Sequence, residues 1–106
     1  MIEIRKYRHA EGVIPFDQWM AKLRDARSKA RILVQLDRLR VGLPGDWKAV
    51  CAGVIELRIR EGKGYRVYLA REGATVVVLL CAGDKSTQSG DIERAKSDWR
   101  AYRRQA

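Results

Sequence analysis

The stretch from Gly53 to Lys85 constrains the fold of this chain most strongly, because apolar residues alternate there with arginines. Alternation with a period of two is typical of strands that are buried on one face. Successive side chains of a strand point to opposite faces. The first strand of this stretch contains the apolar set Ile55, Leu57 and Ile59 and the alternate polar set Glu56, Arg58 and Arg60. The sequence therefore predicts a sheet with one packed face and one positively charged face.

A second strand repeats the pattern, with the apolar set Tyr65, Val67 and Leu69 and the alternate pair Arg66 and Tyr68. If both apolar sets share a core face, the numbers of directly opposed residues must add to an even total. The connecting turn is then predicted to be the three residues 61–63, with Gly62 or Gly64 supplying the positive φ angle that a bulged hairpin needs.

Arg58 and Arg66 become cross-strand neighbours in this hairpin. Two guanidinium groups side by side repel, and like charges opposed in a sheet lower its stability. An anion between them removes the conflict, and a phosphate is the anion that this hypothesis favours. The alternative is that the arginines form a solvated sheet face whose charge serves solubility.

The N-terminal part predicts a strand followed by a helical hairpin. Residues 2–8 alternate as a first strand whose core-oriented side chains are Ile2, Ile4 and Tyr7. Pro15 opens a short helix at a position where a missing N–H is harmless. The apolar face of that helix comprises Phe16, Trp19, Met20 and Leu23. After residues 24–25, a second helix is predicted to run to Val41, with Gly42 as its stop and an apolar stripe of Ile32, Leu33, Leu36 and Leu39.

The second helix has a dense basic surface, since Lys22 to Arg40 hold seven Lys or Arg residues against only Asp25 and Asp37. This surface is a candidate to line RNA. Its alternative is an ordinary solvated helix face, because helix exteriors are usually charged.

Three more elements complete a prediction of the α+β class. Residues 47–51 suit a short strand, and residues 75–82 are apolar without alternation, which is typical of a central strand covered on both faces. Residues 91–104 predict a final helix that docks on the sheet through Ile92, Ala95, Trp99 and Tyr102. The chain shows no linker or internal repeat, so residues 1–106 are predicted to form a single domain.

The charge balance indicates a polyanion as the partner. Lys and Arg number 22 against 13 Asp and Glu, which gives a net charge of +9 at pH 7. This is the electrostatic signature of a nucleic-acid-binding protein. No stretch approaches the roughly 20 apolar residues of a membrane span, so we expect no membrane partner. The N-terminus lacks the features of a signal peptide, which predicts a cytoplasmic protein with reduced thiols.

The sequence offers few ligands for a metal. Cys51 and Cys81 lie in apolar, strand-like surroundings without the spacing of a metal or redox motif, and are predicted to be core residues. His9 is the only histidine, so a zinc site is not expected, and His9 is predicted to lie away from the arginines. We expect neither a metal nor a cofactor.

Several short pieces of the chain have a characteristic order and spacing: Pro15-Phe16 with Trp19, Arg31-Ile32 with Leu36 and Arg38-Leu39, Gly53-Val54 with Glu56-Leu57-Arg58, Gly64-Tyr65-Arg66-Val67-Tyr68, and Gly83-Asp84-Lys85 with Gln88, Asp91-Ile92 and Ala95. In these pieces the sequence resembles the RelE/ParE superfamily of type II toxin–antitoxin toxins, and most closely the HigB-like branch called addiction module killer proteins. The resemblance runs from Tyr7 to about Tyr102. It implies a RelE-like fold, in which an N-terminal strand and a helical hairpin pack on a mainly antiparallel twisted sheet with a C-terminal helix.

The resemblance also implies a function: a ribosome-dependent mRNA endoribonuclease, or mRNA interferase, that arrests translation without a metal. Arg58 and Arg66 match phosphate-contacting or catalytic positions of RelE-like toxins, and Lys85 matches a third basic position at the end of the last strand; these three are the predicted catalytic residues. A guanidinium fork suits a scissile phosphate, and Lys85 can protonate the leaving oxygen, neutralise charge, or simply pair with Asp84 or Asp91. Glu56 stands where some RelE members place a basic residue, and it is either a general base or a relief of arginine repulsion. The residues predicted to contact RNA are Arg60, Tyr68, Lys63 and Glu56, with Tyr68 alternatively a packing partner.

Two other functions fit the same fold, because a fold alone does not determine function. One is a ParE-like inhibitor of DNA gyrase, and the other is an inactive toxin that acts only in complexes with its antitoxin and operator DNA. The expected partners are a helix-turn-helix antitoxin, the ribosome and mRNA, with operator DNA reached indirectly through the antitoxin. A surface of net charge +9 suits an acidic segment of such an antitoxin.

Overall fold

Five strands and three helices make up the computed structural model, which describes residues 1–105. The strands are β1 (Glu3–Lys6), β2 (Trp47–Cys51), β3 (Val54–Ile59), β4 (Tyr65–Glu72) and β5 (Val76–Gly83). The helices are α1 (Pro15–Lys22), α2 (Ala26–Arg40) and α3 (Gln88–Gln105), and a short 3-10 helix (Lys85–Thr87) precedes α3. The strands form one sheet in the order β1-β5-β4-β3-β2. The β1–β5 pair is parallel, and the pairs β5–β4, β4–β3 and β3–β2 are antiparallel. The predicted α+β class is confirmed, and the arrangement is compatible with a RelE-like fold.

The register of β3 against β4 is the one that the alternation predicts. Leu57 opposes Val67, and Arg58 opposes Arg66. The loop between these strands is longer than the predicted three-residue turn, because pairing stops at Ile59 and Tyr65 and residues 60–64 leave the sheet. Both candidate glycines are used, since Gly62 and Gly64 have φ angles of 58° and 73°. The longer loop carries Arg60 out of the sheet.

One face of the sheet packs against α1 and α2. The buried core there includes Leu57, Ile59, Val67 and Leu69 from the sheet and Phe16, Ile32, Leu36 and Leu39 from the helices. The prediction for α1 is confirmed, since Trp19, Met20 and Leu23 pack against the same core. The prediction for Leu33 is wrong: this side chain is 49% exposed. Leu33 lies one residue, or about 100° around the helix, from the buried Ile32.

The other face of the sheet is not the solvated basic surface that the arginines suggested. Helix α3 covers it, and a second core contains Tyr68, Ala70, Val78 and Leu80 from the sheet with Ala95 and Trp99 from α3. Partly buried Ile92 and Tyr102 pack there too, as predicted. Polar residues lie on this face near the start of α3, where Gln88 donates to Glu56, and near its end, where the Tyr102 hydroxyl donates to Glu72 (2.8 Å).

Because both faces of the sheet are covered, its interior strands are buried on both sides. Strand β5 is interior, between β1 and β4, and its residues 77–83 are buried, as predicted. Ile2 and Ile4 pack against the first core, whereas Tyr7 lies in the second because odd and even positions of a strand face opposite ways. Cys81 is buried as predicted. Cys51 is exposed instead, because it ends the edge strand β2 just after a register shift.

Helix α3 begins at Gln88, three residues earlier than the pattern indicated, because a capped turn leads into it. The Asp84 side chain accepts hydrogen bonds from the Ser86 N–H (2.8 Å) and hydroxyl (2.6 Å). The Thr87 hydroxyl oxygen accepts a hydrogen bond from the Asp84 N–H (3.1 Å), which completes a capping box. This turn sets the direction in which the residues after β5 project. In the described residues, no helix is long and apolar enough to cross a membrane.

Gly83, at the end of β5, is required by the packing of α3. A Cβ atom at this position would lie 1.7 Å from Asp91 Oδ2 and 2.6 Å from Thr87 Oγ1. We expect Gly83→Ala to lower the free energy of unfolding by ~1–3 kcal/mol, the usual range for overpacking. Urea denaturation measures this change.

Gly90→Ala is the matched control for that substitution. A Cβ atom at Gly90 would meet nothing within 4 Å, and the residue lies within α3. Alanine is the better helix former by about 1 kcal/mol, so this variant is expected to be as stable as the parent or more stable. Equal losses in the two variants would contradict the packing argument.

Candidate functional site

A buried carboxylate lies between the two opposed arginines. Glu56 has 0% exposure and sits in the middle of β3. Its Oε1 atom accepts a hydrogen bond from Arg58 Nε (3.1 Å). Its Oε2 atom accepts from the Tyr68 hydroxyl (3.1 Å) and from Gln88 Nε2 (2.8 Å), and Arg66 Nε lies 3.5 Å away. The anion that relieves the arginine repulsion is therefore internal, and the predicted need for an external phosphate at this point is wrong.

This arrangement decides the role of Glu56. Burial raises the pKa of the carboxyl, but the hydrogen bonds from Gln88, Arg58 and Tyr68 and the charge of Arg66 outweigh it, so that the pKa lies below its usual value. An ionised carboxylate that accepts three hydrogen bonds and has no exposed surface is a poor general base. Direct contact of Glu56 with RNA is likewise excluded by its burial, which corrects that prediction. Glu56 instead positions the two arginines.

Arg66 and Arg58 present their outer ends to a shallow groove. The Arg66 side chain is 11% exposed, and its Nη1 atom donates to the Gly64 carbonyl (2.8 Å). The Arg58 side chain is 35% exposed. The groove has a volume of about 280 Å³, and Tyr65 and Arg60 also line it. The two guanidinium groups thus pair with the buried Glu56 and also border the groove, where a ligand could reach them.

Lys85 lies beside this groove, at the start of the 3-10 helix that follows β5. A Cβ atom on Gly64 would be 3.6 Å from Arg66 Nη1 and 3.7 Å from Lys85 Cβ. Arg66 and Lys85 therefore lie on either side of Gly64. The predicted alternative, pairing of Lys85 with Asp84 or Asp91, is not seen in residues 1–105. The Asp84 carboxylate is engaged with Ser86. Lys85 is exposed and its charge is not neutralised there.

The other residues predicted to contact RNA differ in their positions. Arg60 is 81% exposed, and its Nε atom pairs with Asp46 Oδ2 at 2.9 Å. Lys63 is exposed in the β3–β4 loop and lines a depression together with Asp84 and Lys85. Both therefore lie within reach of a strand bound at the groove.

Tyr68 does not stack on a base, because its side chain has 0% exposure and belongs to the core under α3. Burial and the neighbouring Glu56 carboxylate raise the pKa of its hydroxyl well above the usual value, so it stays protonated and donates to Glu56. The prediction that Tyr68 contacts RNA is wrong, and the alternative packing role applies.

Two members of this site had no assigned role in the sequence. Gln88 was part of the motif that carries the resemblance, yet nothing in the local pattern shows that its amide donates to Glu56. Gly64 was expected only to supply a positive φ angle, and it also lies between Arg66 and Lys85. His9 lies elsewhere, with Nε2 3.7 Å from Asp98 on α3.

The pH dependence of stability follows from Glu56. A carboxyl whose pKa is lower in the folded chain stabilises the fold above its unfolded pKa, near 4.5, and loses that contribution as the pH falls through the folded pKa. We expect the free energy of unfolding to fall less between pH 5 and pH 3 in Glu56→Gln than in the parent. Urea titrations at each pH measure this slope, with exposed Glu93→Gln as the control. Identical slopes in all three proteins would contradict the assignment.

Comparison with known proteins adds the family. Residues 18–103 match the model of a family described as "Phage derived protein Gp49-like (DUF891)". A Haemophilus influenzae protein (strain KW20 / Rd) with the name "Uncharacterized protein" is 52% identical over 83 residues, which is 78% of this chain and 84% of that protein. The family match includes Glu56, both arginines and Lys85. The chain therefore belongs to the phage-derived Gp49-like family, a family of RelE-like toxins of toxin–antitoxin systems.

Proposed function

We propose that this protein is a ribosome-dependent mRNA endoribonuclease of the HigB-like branch, whose action arrests translation. One observation carries the proposal. Arg58 and Arg66 are held by a shared buried carboxylate with their outer ends open to a groove, and the unneutralised Lys85 lies next to them. Three cations around one small groove match the charge of a phosphodiester that is being cleaved.

The chemistry begins with the ribose 2′-hydroxyl, which RNA itself supplies. Its oxygen forms a bond to the adjacent phosphorus while the bond from phosphorus to the 5′-oxygen breaks. Negative charge then builds on the non-bridging oxygens, which the guanidinium groups of Arg66 and Arg58 stabilise. The 2′ proton passes to solvent, and Lys85 or water gives a proton to the 5′-oxygen.

The site supplies charge stabilisation and no evident general base. Glu56 is buried and accepts three hydrogen bonds, and His9 lies beside Asp98. General base catalysis typically contributes 10²–10⁴-fold, so cleavage of free RNA should be slow. A ribosome that holds the message in an in-line geometry can replace part of this loss by positioning. This is the physical reason for proposing that cleavage depends on the ribosome.

The partners follow from the family and from the charge. Membership of a toxin–antitoxin family implies an antitoxin. We propose a helix-turn-helix antitoxin with an acidic segment that meets the basic surface, and contact with operator DNA only through that antitoxin.

Cell-free translation tests the proposed function. The purified protein is added with and without ribosomes, and message ends are mapped by primer extension. The triple variant Arg58→Ala, Arg66→Ala, Lys85→Ala removes the three cations. A control triple variant, Lys48→Ala, Arg100→Ala, Arg104→Ala, has the same net charge but loses exposed cations elsewhere.

We expect ribosome-dependent cuts with the parent and the control and none with the site variant. Cuts that persist in a folded site variant would refute the assignment of these residues. Intact messages from a folded parent would refute the proposed activity, and inhibition of gyrase supercoiling by that same sample would favour the gyrase-directed alternative.

A further inference from the structure

A second cleft opens on the helical-hairpin side of the β3–β4 loop. It has a volume of about 410 Å³ and is lined by side chains of α1, of the α1–α2 connection, and of the loops that flank β4 and β5. Six of them matter here: Trp19, Lys22, Arg24, Lys63, Tyr65 and Asp84. We call this the Trp19 cleft.

The Trp19 cleft has an aromatic wall. The rings of Trp19 and Tyr65 meet edge to face, with centroids 5.6 Å apart and an interplanar angle of 71°. Tyr65 is buried, whereas Trp19 is only partly buried, so part of the indole borders the cleft. An exposed aromatic surface in a basic cleft is the usual platform for an unstacked nucleobase.

The cleft is also positively charged. Lys22, Arg24 and Lys63 are exposed and make no ion pair within residues 1–105. The two carboxylates that line the cleft take part in local caps, since Asp25 accepts from the Ser28 N–H (3.1 Å) and hydroxyl (2.7 Å), and Asp84 accepts from Ser86. Both keep their negative charge, but the three cations outnumber them. A cleft with excess positive charge beside an aromatic wall favours a polyanion with planar rings.

The Trp19 cleft is continuous with the candidate active site. Lys63 and Asp84 line both the cleft and the depression that contains Lys85. Tyr65 lines both the cleft and the groove of Arg58 and Arg66. A strand whose phosphate lies between the arginines and Lys85 therefore passes the cleft with its neighbouring nucleotide.

We propose that the Trp19 cleft binds one nucleobase of single-stranded RNA, adjacent to the phosphate held by Arg66. The inference rests on the proposed function, because it takes the arginine groove as the phosphate site. It adds a specificity-determining contact: Trp19 stacks on the base, and Lys22 and Arg24 hold the flanking phosphate.

Binding of an uncleavable RNA tests this inference without requiring catalysis. The probe is a fluorescent, unstructured hexanucleotide with 2′-O-methyl groups throughout, which lacks the attacking hydroxyl. Its affinity is measured by anisotropy at low salt for the parent, Trp19→Leu, and the double variant Lys22→Ala, Arg24→Ala. The charge-matched control is Lys48→Ala, Arg100→Ala. Lys22 and Arg24 are exposed, so the double variant is expected to fold. Its affinity tests the cleft even if Trp19→Leu folds poorly.

An abasic scan of the probe locates the stacked base. At one position, loss of the base should weaken binding to the parent on the order of tenfold, because the stacking contact with the indole is lost. At that position only, Trp19→Leu should cause no further loss, because base and indole act as one pair. The Lys22, Arg24 variant should bind more weakly than the charge-matched control.

Three outcomes would overturn the inference: no measurable binding to the parent, equal weakening in the two charge-matched double variants, or no abasic position that depends on Trp19. The last two would leave the cleft to a protein partner or to solvent. The proposed function fails by a separate result, the absence of ribosome-dependent cuts, so the two failures are distinguishable.

Discussion

Replacing Arg66 by alanine is expected to reduce ribosome-dependent message cleavage by about 100- to 1000-fold, the cost of removing one preorganised donor to a developing negative charge. Arg66 is the more buried of the two arginines, with only 11% of its side chain exposed. Gly64 holds Nη1, and Glu56 lies behind Nε. The outer part of the guanidinium is thereby aimed at the groove before substrate arrives, which avoids reorganisation during the reaction.

The matched variants separate charge from geometry. Arg66→Lys keeps the charge but loses the planar fork, so we expect an intermediate loss of activity. Arg71→Ala removes an arginine of the same strand that lies over Trp47, and should leave cleavage unchanged. The measurement is primer extension in cell-free translation, with the fold of each variant checked by circular dichroism. Wild-type cleavage by a folded Arg66→Ala protein would rule out its role.

Replacing Glu56 by alanine is expected to have the largest effect on stability, a loss of ~3–5 kcal/mol, which is typical when one partner of a buried ion pair is removed. The substitution leaves Arg66 without its counter-charge in a nearly buried position and brings back the repulsion of Arg58. It also leaves the Tyr68 hydroxyl and the Gln88 amide without their acceptor. Urea denaturation at pH 7 measures the loss.

Glu56→Gln tests how much of that effect is charge. The amide retains the shape and one acceptor oxygen but not the negative charge. The free energy of unfolding of Glu56→Gln should therefore lie between that of the parent and that of Glu56→Ala. Exposed Glu93, which pairs with Lys96 on α3, supplies the control Glu93→Ala, with an expected change within about 0.5 kcal/mol. A Glu56→Ala protein as stable as this control would contradict the positioning role.

The local sequence pattern predicts the register of two strands and the buried faces of two helices. Alternation in β3 and β4 predicts their register and makes Arg58 and Arg66 neighbours, because the side-chain period of a strand is two. Helical spacing predicts the faces of α1 and α3, and the unbroken apolar run predicts that β5 is covered on both sides. These features depend only on positions that are near one another in the chain.

Contacts between distant segments required the tertiary structure. Alternation shows that Glu56, Arg58 and Tyr68 share a face, but not that α3 covers part of it, so Glu56 and Tyr68 were expected to reach RNA when both are buried. The hydrogen bond that the Gln88 amide donates to Glu56 joins residues 32 positions apart in the sequence. The Trp19 cleft likewise combines α1 with two loops from the far half of the chain.

The sequence by itself thus determined the α+β class, the strand register and the pairing of two arginines, since each follows from the periodicity of a single segment or hairpin. Only the tertiary structure decided which of the neighbouring polar residues face solvent and which anion lies between the arginines. The physical reason is that burial depends on what packs above a face. A residue's position within its own strand fixes the side to which it points, whereas the helix that covers that side comes from another part of the chain.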